Sequence, residues 1–274
     1  RCAELNLPST YYCGEECMLA HWPKHKVYHT EQKEWVEWWR EGAMLESDRS
    51  AAEAAARDAE ETGDEFEKRF AQAMALGVEG DLHAAAKAWR KIIKELPDQP
   101  SPYHNLANVL LRSSRWAEAA QMFLKTMELD EEGTEDWAET VASAFDLLKH
   151  PVCREVPKPE WWNDEALKAL SARVVALAPD SGDACSMRGR VLSGDTLGKP
   201  HWNAGPRTAA EIKEAATWYR CGAIMTRVSA ENNEMLASQC DAVADPLLAK
   251  QEAKAAKARA VAEAEAAEAL KAAE

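Results

Sequence analysis

The chain has 274 residues, 46% hydrophobic and 29% charged, and a formal net charge of −14, a composition that suits a folded globular protein rather than a disordered one. The acidic balance opposes non-specific attraction to nucleic-acid phosphates or anionic lipid, so no direct DNA binding is expected. No apolar run is long enough to span a bilayer and no signal-peptide pattern is seen at the start, so we expect no membrane association and a cytoplasmic location, with the nucleus as the alternative.

Residues 1–30 concentrate cysteine and histidine, most densely in "YYCGEECMLAHWPKHKVYH". Three residues separate Cys13 from Cys17, seven separate Cys17 from His25, and three separate His25 from His29; ten precede Cys13 after Cys2. His25 and His29 stand four apart, which puts both imidazoles on one helical face. Pro23 suits the first turn of that helix, where its missing N–H costs nothing. A helix offering two histidines to a loop offering cysteines matches what tetrahedral zinc requires. The segment "RCAELNLPSTYYCGEECMLAHWPKHKVYH" resembles the second part of the six-cysteine, two-histidine zinc finger of type 1 methionine aminopeptidases, a relative of MYND fingers. The resemblance runs through Tyr12-Cys13, Cys17, Trp22, His25-Lys26 and His29, and it implies Cys2, Cys13, Cys17, His25 and His29 as zinc ligands. It also implies three further cysteines ahead of Arg1, so we expect the sequence to be a fragment with one site half present and the other short of one ligand. The family further implies docking to the ribosome through the finger, with Lys24, Lys26 and Lys33 as its local basic face.

Residues 31–62 read as a helical, Ala-rich connector in which Trp35, Trp38 and Trp39, at helical spacing, pack the finger against the helical repeats downstream. From 63 to 244 the chain is helical, with self-similarity near a period of 34 residues. In "SPYHNLANVLLRSSRWAEAAQMFLKTMELDEE", Tyr103, Leu106, Ala107 and Leu110 mark a first helix, "RSSR" a turn, and Trp116, Ala119, Phe123 and Thr126 a second. Small residues at Ala107 and Ala119 admit close approach, and the large ones fill the space around it. This unit resembles the tetratricopeptide (TPR) family. The unit before it matches through Ala73, Leu76, Gly80-Asp81, Ala85, Trp89 and Pro97. Two looser units come after, each broken by a Pro- or Gly-rich insert: "KHPVCREVPKPEWWN" delays the return helix of the third, and "SGDTLGKPHWNAGPR" that of the fourth, whose small position is Gly189. Because each unit covers its neighbour's apolar face, the stretch is expected to be one cooperative array.

The TPR resemblance implies a protein or peptide partner in a groove lined by the first helix of each unit, here Ser101, His104, Asn108 and Leu111. It does not extend to a carboxylate clamp, because Phe70 and Met74 occupy the clamp's lysine and asparagine positions. Residues 245–274 are almost entirely Ala, Glu and Lys, with strong helix propensity and little to bury, and read as a solvated helix or tail. Acidic runs such as "ELDEEGTED" read as solvated loops. Cys153, Cys185, Cys221 and Cys240 are scattered and read as small buried apolar residues in a reducing compartment. No phosphate loop or nucleophile elbow is present. The expected fold is mainly α: a zinc module, a TPR-like α-solenoid and a long C-terminal helix. The expected role is a non-enzymatic zinc-finger and TPR adaptor; the rival reading is a fragment of a peptidase or methyltransferase whose catalytic domain lies elsewhere.

Overall fold

The computed structural model describes residues 44–197, 202–225 and 230–273. The zinc-ligand candidates Cys2, Cys13, Cys17, His25 and His29, and the tryptophans Trp35, Trp38 and Trp39, lie outside them. The described residues are helical between connectors and contain no β-strand. They fall into two compact units, one running to Lys158 and one beginning at Pro159, a boundary inside the 63–244 stretch.

In the first unit α1 (Met44–Thr62) packs on α2 (Glu65–Glu79) through its alanines; Ala52 and Ala59 are buried, so the Ala-rich connector has one covered face. α2 and α3 (Leu82–Glu95) form the first hairpin. Asp64 caps α2, accepting from the Phe66 and Glu67 N–H groups. Gly80 ends the helix at φ 91°, a left-handed cap that glycine adopts without a Cβ penalty, and Asp81 then caps α3 through the Ala84 N–H. The second hairpin is α4 (Pro100–Arg112) and α5 (Trp116–Leu129), with α6 (Glu135–Leu148) packed on α5. Helices α2, α4 and α6 start at Glu65, Pro100 and Glu135, each 35 residues after the last. The small positions Ala73, Ala85, Ala107 and Ala119 are all fully buried, with Trp89, Leu110, Trp116 and Phe123 filling the space around them. These hairpins therefore have both the period and the small-residue contacts expected of TPR units.

The third expected unit is divided. Its first helix is α6; its insert turns through a short 3-10 segment, Pro151–Cys153, whose Cys153 is fully buried. Its return helix, α7 (Asp164–Leu177), belongs to the second unit. Pro151, Pro157 and Pro159 account for the interruption, since each removes a backbone donor and disfavours helix at the residue before it.

In the second unit α7 packs on α8 (Gly182–Ser193), α8 on α9 (Ala209–Met225), and α9 on α10 (Ala230–Ala273). Gly189 is at the close contact: a Cβ there would lie 3.0 Å from the Tyr219 ring. The α9–α10 core joins Ile212, Ala215, Ala216 and Tyr219 to Leu236, Ala237, Cys240 and Ala244. α10 is one helix through Pro246, so the expected boundary at 245 is not a break in secondary structure. Its last fully buried residue is nonetheless Ala244, and residues 249–263 are exposed throughout, as a segment with nothing to bury should be.

Candidate partner groove

The exposed face of α4 carries Ser101, Asn105, Asn108 and Arg112, at helical spacing of four, three and four. Two pockets open along it. One, about 570 Å³ and open to solvent, is formed by Ser101, His104 and Asn105 of α4, Thr126 of α5, Asp130 just after α5, and Asp136, Glu139 and Thr140 of α6. The other, about 360 Å³, lies between α2 and α4, with Met74, Asn105, Asn108 and Arg112 in its wall. Asn105 is common to both, and its side chain is fixed by donating to the Ser101 carbonyl at 2.9 Å.

Of the four groove residues expected from the pattern, Ser101 and His104 share the larger pocket and Asn108 lines the smaller one. Leu111 does neither. It is 6% exposed and sits in the core. α4 is flanked by α3 and α5, which widens its buried arc until it takes in Leu111. The residue one position on, Arg112, lines the smaller pocket. Phe70, at the position of the family's clamp lysine, packs edge-on against Trp89, ring centroids 4.8 Å apart; Met74 walls the smaller pocket.

The larger pocket is acidic, and its carboxylates come partly from "ELDEEGTED", which reads as a solvated loop. Asp130 of that run is half-buried and accepts from Thr140 Oγ1 at 3.2 Å. Burial pushes its carboxyl above the ordinary range, against the Thr140 hydrogen bond and His104, which pull it down. Glu139 is also raised, by burial and then by Glu135 and Asp136. Burial drives His104 the other way, below the ordinary imidazole value, although Asp130 and Asp136 oppose it. Its ring stands edge-on to Phe123, 5.4 Å between centroids. At neutral pH the pocket thus holds an uncharged imidazole among carboxylates. Among the described residues no lysine or arginine forms an ion pair with Asp130, Asp136 or Glu139. No local pattern pairs Asp130, just after α5, with Thr140, inside α6 and ten residues on.

Among the described residues no group of three or more His, Cys, Asp or Glu side chains is placed to hold a metal ion, and no helix is long and apolar enough to cross a membrane. No protein-family model matches the chain, and no curated protein matches it. Solved structures resemble it at low identity, MamA and YrrB among them. The crystal structure of MamA is 18% identical, with 67% of this chain and 96% of that one covered, at a TM-score of 0.39. YrrB, a TPR protein with an unusual peptide-binding site, is 16% identical, with 74% and 98% covered, at 0.42. The TPR character of the first unit rests on its own hairpins, with their 35-residue period and buried alanine contacts.

Proposed function

We propose that the chain is a non-enzymatic protein-interaction adaptor that binds an extended partner segment along α4, with a lysine or arginine of that segment seated among Asp130, Asp136 and Glu139. The observation that carries this reading is a concave pocket whose carboxylates have, among the described residues, no cation of their own. Two of them are held above their ordinary pKa, so an incoming cation relieves a cost the folded protein already bears. The test is fluorescence polarisation against matched peptides that carry lysine and arginine, glutamate, or neither. Basic peptides should bind, more weakly as salt rises. Asp136→Lys should weaken them by about tenfold or more, about 1.4 kcal/mol. Equal binding of acidic peptides, or indifference to Asp136→Lys, would contradict the reading.

The same proposal assigns the N-terminal module to zinc, with Cys2, Cys13, Cys17, His25 and His29 as ligands. Their spacing supports it, together with the scarcity of apolar residues that could otherwise organise this segment. Docking of the finger to the ribosome is the extension that its resemblance suggests. Elemental mass spectrometry on this chain, and on one extended ahead of Arg1 by the three cysteines the finger pattern requires, tests the metal. Two zinc ions per extended chain and fewer here would support the finger. None in either would remove zinc from the account and leave the groove untouched.

A further inference from the structure

Four cysteines of the helical region stand far apart in sequence, yet two of them meet. Cys185 on α8 is fully buried, Cys221 on α9 is half-buried, and the Cys221 thiol lies near enough to that of Cys185 to help raise its pKa. The helices that carry them approach closely in the residues next to both cysteines. A Cβ on Gly222, the residue after Cys221, would lie 2.8 Å from Ser186 Oγ and 3.2 Å from the Gly182 carbonyl oxygen. Ser186 comes directly after Cys185, so both cysteines stand beside this close approach. A disulfide needs Cα atoms about 4.4–6.8 Å apart, and a helix contact made at a glycine brings two backbones close together. Cys153 and Cys240 are fully buried.

We propose that Cys185 and Cys221 are a redox-sensitive pair that forms a reversible disulfide, bolting α8 to α9 when a hydroperoxide is present. The half-exposed Cys221 reacts first. Its sulfur attacks the peroxide O–O bond, is oxidised to a sulfenic acid, and releases the alcohol. The Cys185 sulfur then displaces the hydroxyl from Cys221, the S–S bond forms, and the departing hydroxyl leaves as water with the Cys185 proton. Burial, aided by the neighbouring Cys221 thiol, pushes the Cys185 thiol up to about 12. It therefore stays protonated and unreactive until its neighbour has been oxidised, which suits the resolving role and not the attacking one. A thiol reductant restores both thiols.

The full chain is treated with an alkyl hydroperoxide, digested without reduction, and mapped by mass spectrometry. The expected result is a cross-linked pair of peptides containing Cys185 and Cys221, lost on adding dithiothreitol. It should be absent from Cys221→Ser and retained in Cys153→Ser and Cys240→Ser. Hydrogen exchange of oxidised wild-type protein should slow in α8 and α9. Recovery of Cys221 as sulfinic acid with Cys185 still a free thiol would overturn the proposal, as would a Cys221 disulfide to any other cysteine. Because the mapping is done on wild-type protein, the outcome does not depend on how well a variant folds.

Discussion

In the first unit the paired helices are joined by turns of two and three residues, and Trp89, Leu110, Trp116 and Phe123 fill the space between them. In the second, a connector of fifteen residues, 194–208, separates α8 from α9. It is held by charge. Arg207, 1% exposed, binds Asp164 through two nitrogens and also donates to the Val191 carbonyl; the Trp202 indole and the Gly205 N–H donate to the same carboxylate. Thr208 and Glu211 close a reciprocal cap on the start of α9, and Lys168 bonds Glu211 at 2.6 Å. Short turns bring two apolar faces together without help. A long connector leaves its own backbone and ends to be tied down, and here fixed hydrogen bonds to buried charges do it.

The largest expected effect falls on the apolar side of this comparison. Trp89→Ala removes a side chain that is 1% exposed and should cost about 3–5 kcal/mol in urea unfolding. Hydrogen exchange should rise first in α2 and α3; a uniform rise across both units would show that they unfold as one.

On the charged side, Asp164→Asn leaves the Arg207 guanidinium buried without its counter-ion and should cost about 3 kcal/mol. The exposed pair Arg69–Glu95 of the first unit should cost under about 1 kcal/mol when Arg69 is replaced by Met. Acid separates the units further. Burial alone would raise Asp164, but Arg207, Gly205 and Trp202 outweigh it and bring the carboxyl down to about 2. Burial would likewise raise Glu211, but Lys168 and Thr208 bring it to about 2. A depressed folded pKa stabilises above the unfolded value, and that stability is lost as pH falls from about 4 towards 2. Asp130 and Glu139 are raised in the folded state, so they take up protons and stabilise the first unit as pH falls towards about 4, before the loss in the second unit sets in. Exchange measured from pH 5 to 2.5 should therefore loosen α7 and α9 before α4 and α5. The reverse order would show that the connector charges do not carry the second unit.

Two glycines give effects of opposite sign. Gly189→Ala drives a methyl group to 3.0 Å from the Tyr219 ring and should destabilise by about 1–3 kcal/mol. Gly77→Ala in α2 meets Val109 Cγ2 at an ordinary 3.8 Å and should stabilise by about 0.5–1 kcal/mol, through helix propensity. Thermal unfolding of both variants reads the two signs.

The helices, their period, and the alanine contacts of the first unit were legible from apolar spacing alone, because there local pattern and packing agree. Gly189 was legible for the same reason. The division at Lys158 was not: a proline-rich insert looks the same whether the chain returns to its own array or starts a new one. Leu111 and Arg112 show the limit of register. Which neighbour of a helical stripe is buried depends on how many helices flank it, and periodicity does not record that. Asp130, Asp136 and Glu139 were hidden because a run of carboxylates reads as solvated until its partners across the next helix are known. The Cys185–Cys221 contact joins residues 36 positions apart, and no local pattern marks it.

The most direct test of the groove is hydrogen exchange of the full chain with and without a basic peptide selected by the polarisation assay. Protection confined to α4, the end of α5 and the start of α6, and absent in Asp136→Lys, is the expected result. Protection that falls in the second unit, or that survives Asp136→Lys unchanged, would contradict the assignment of partner binding to α4 and its acidic pocket.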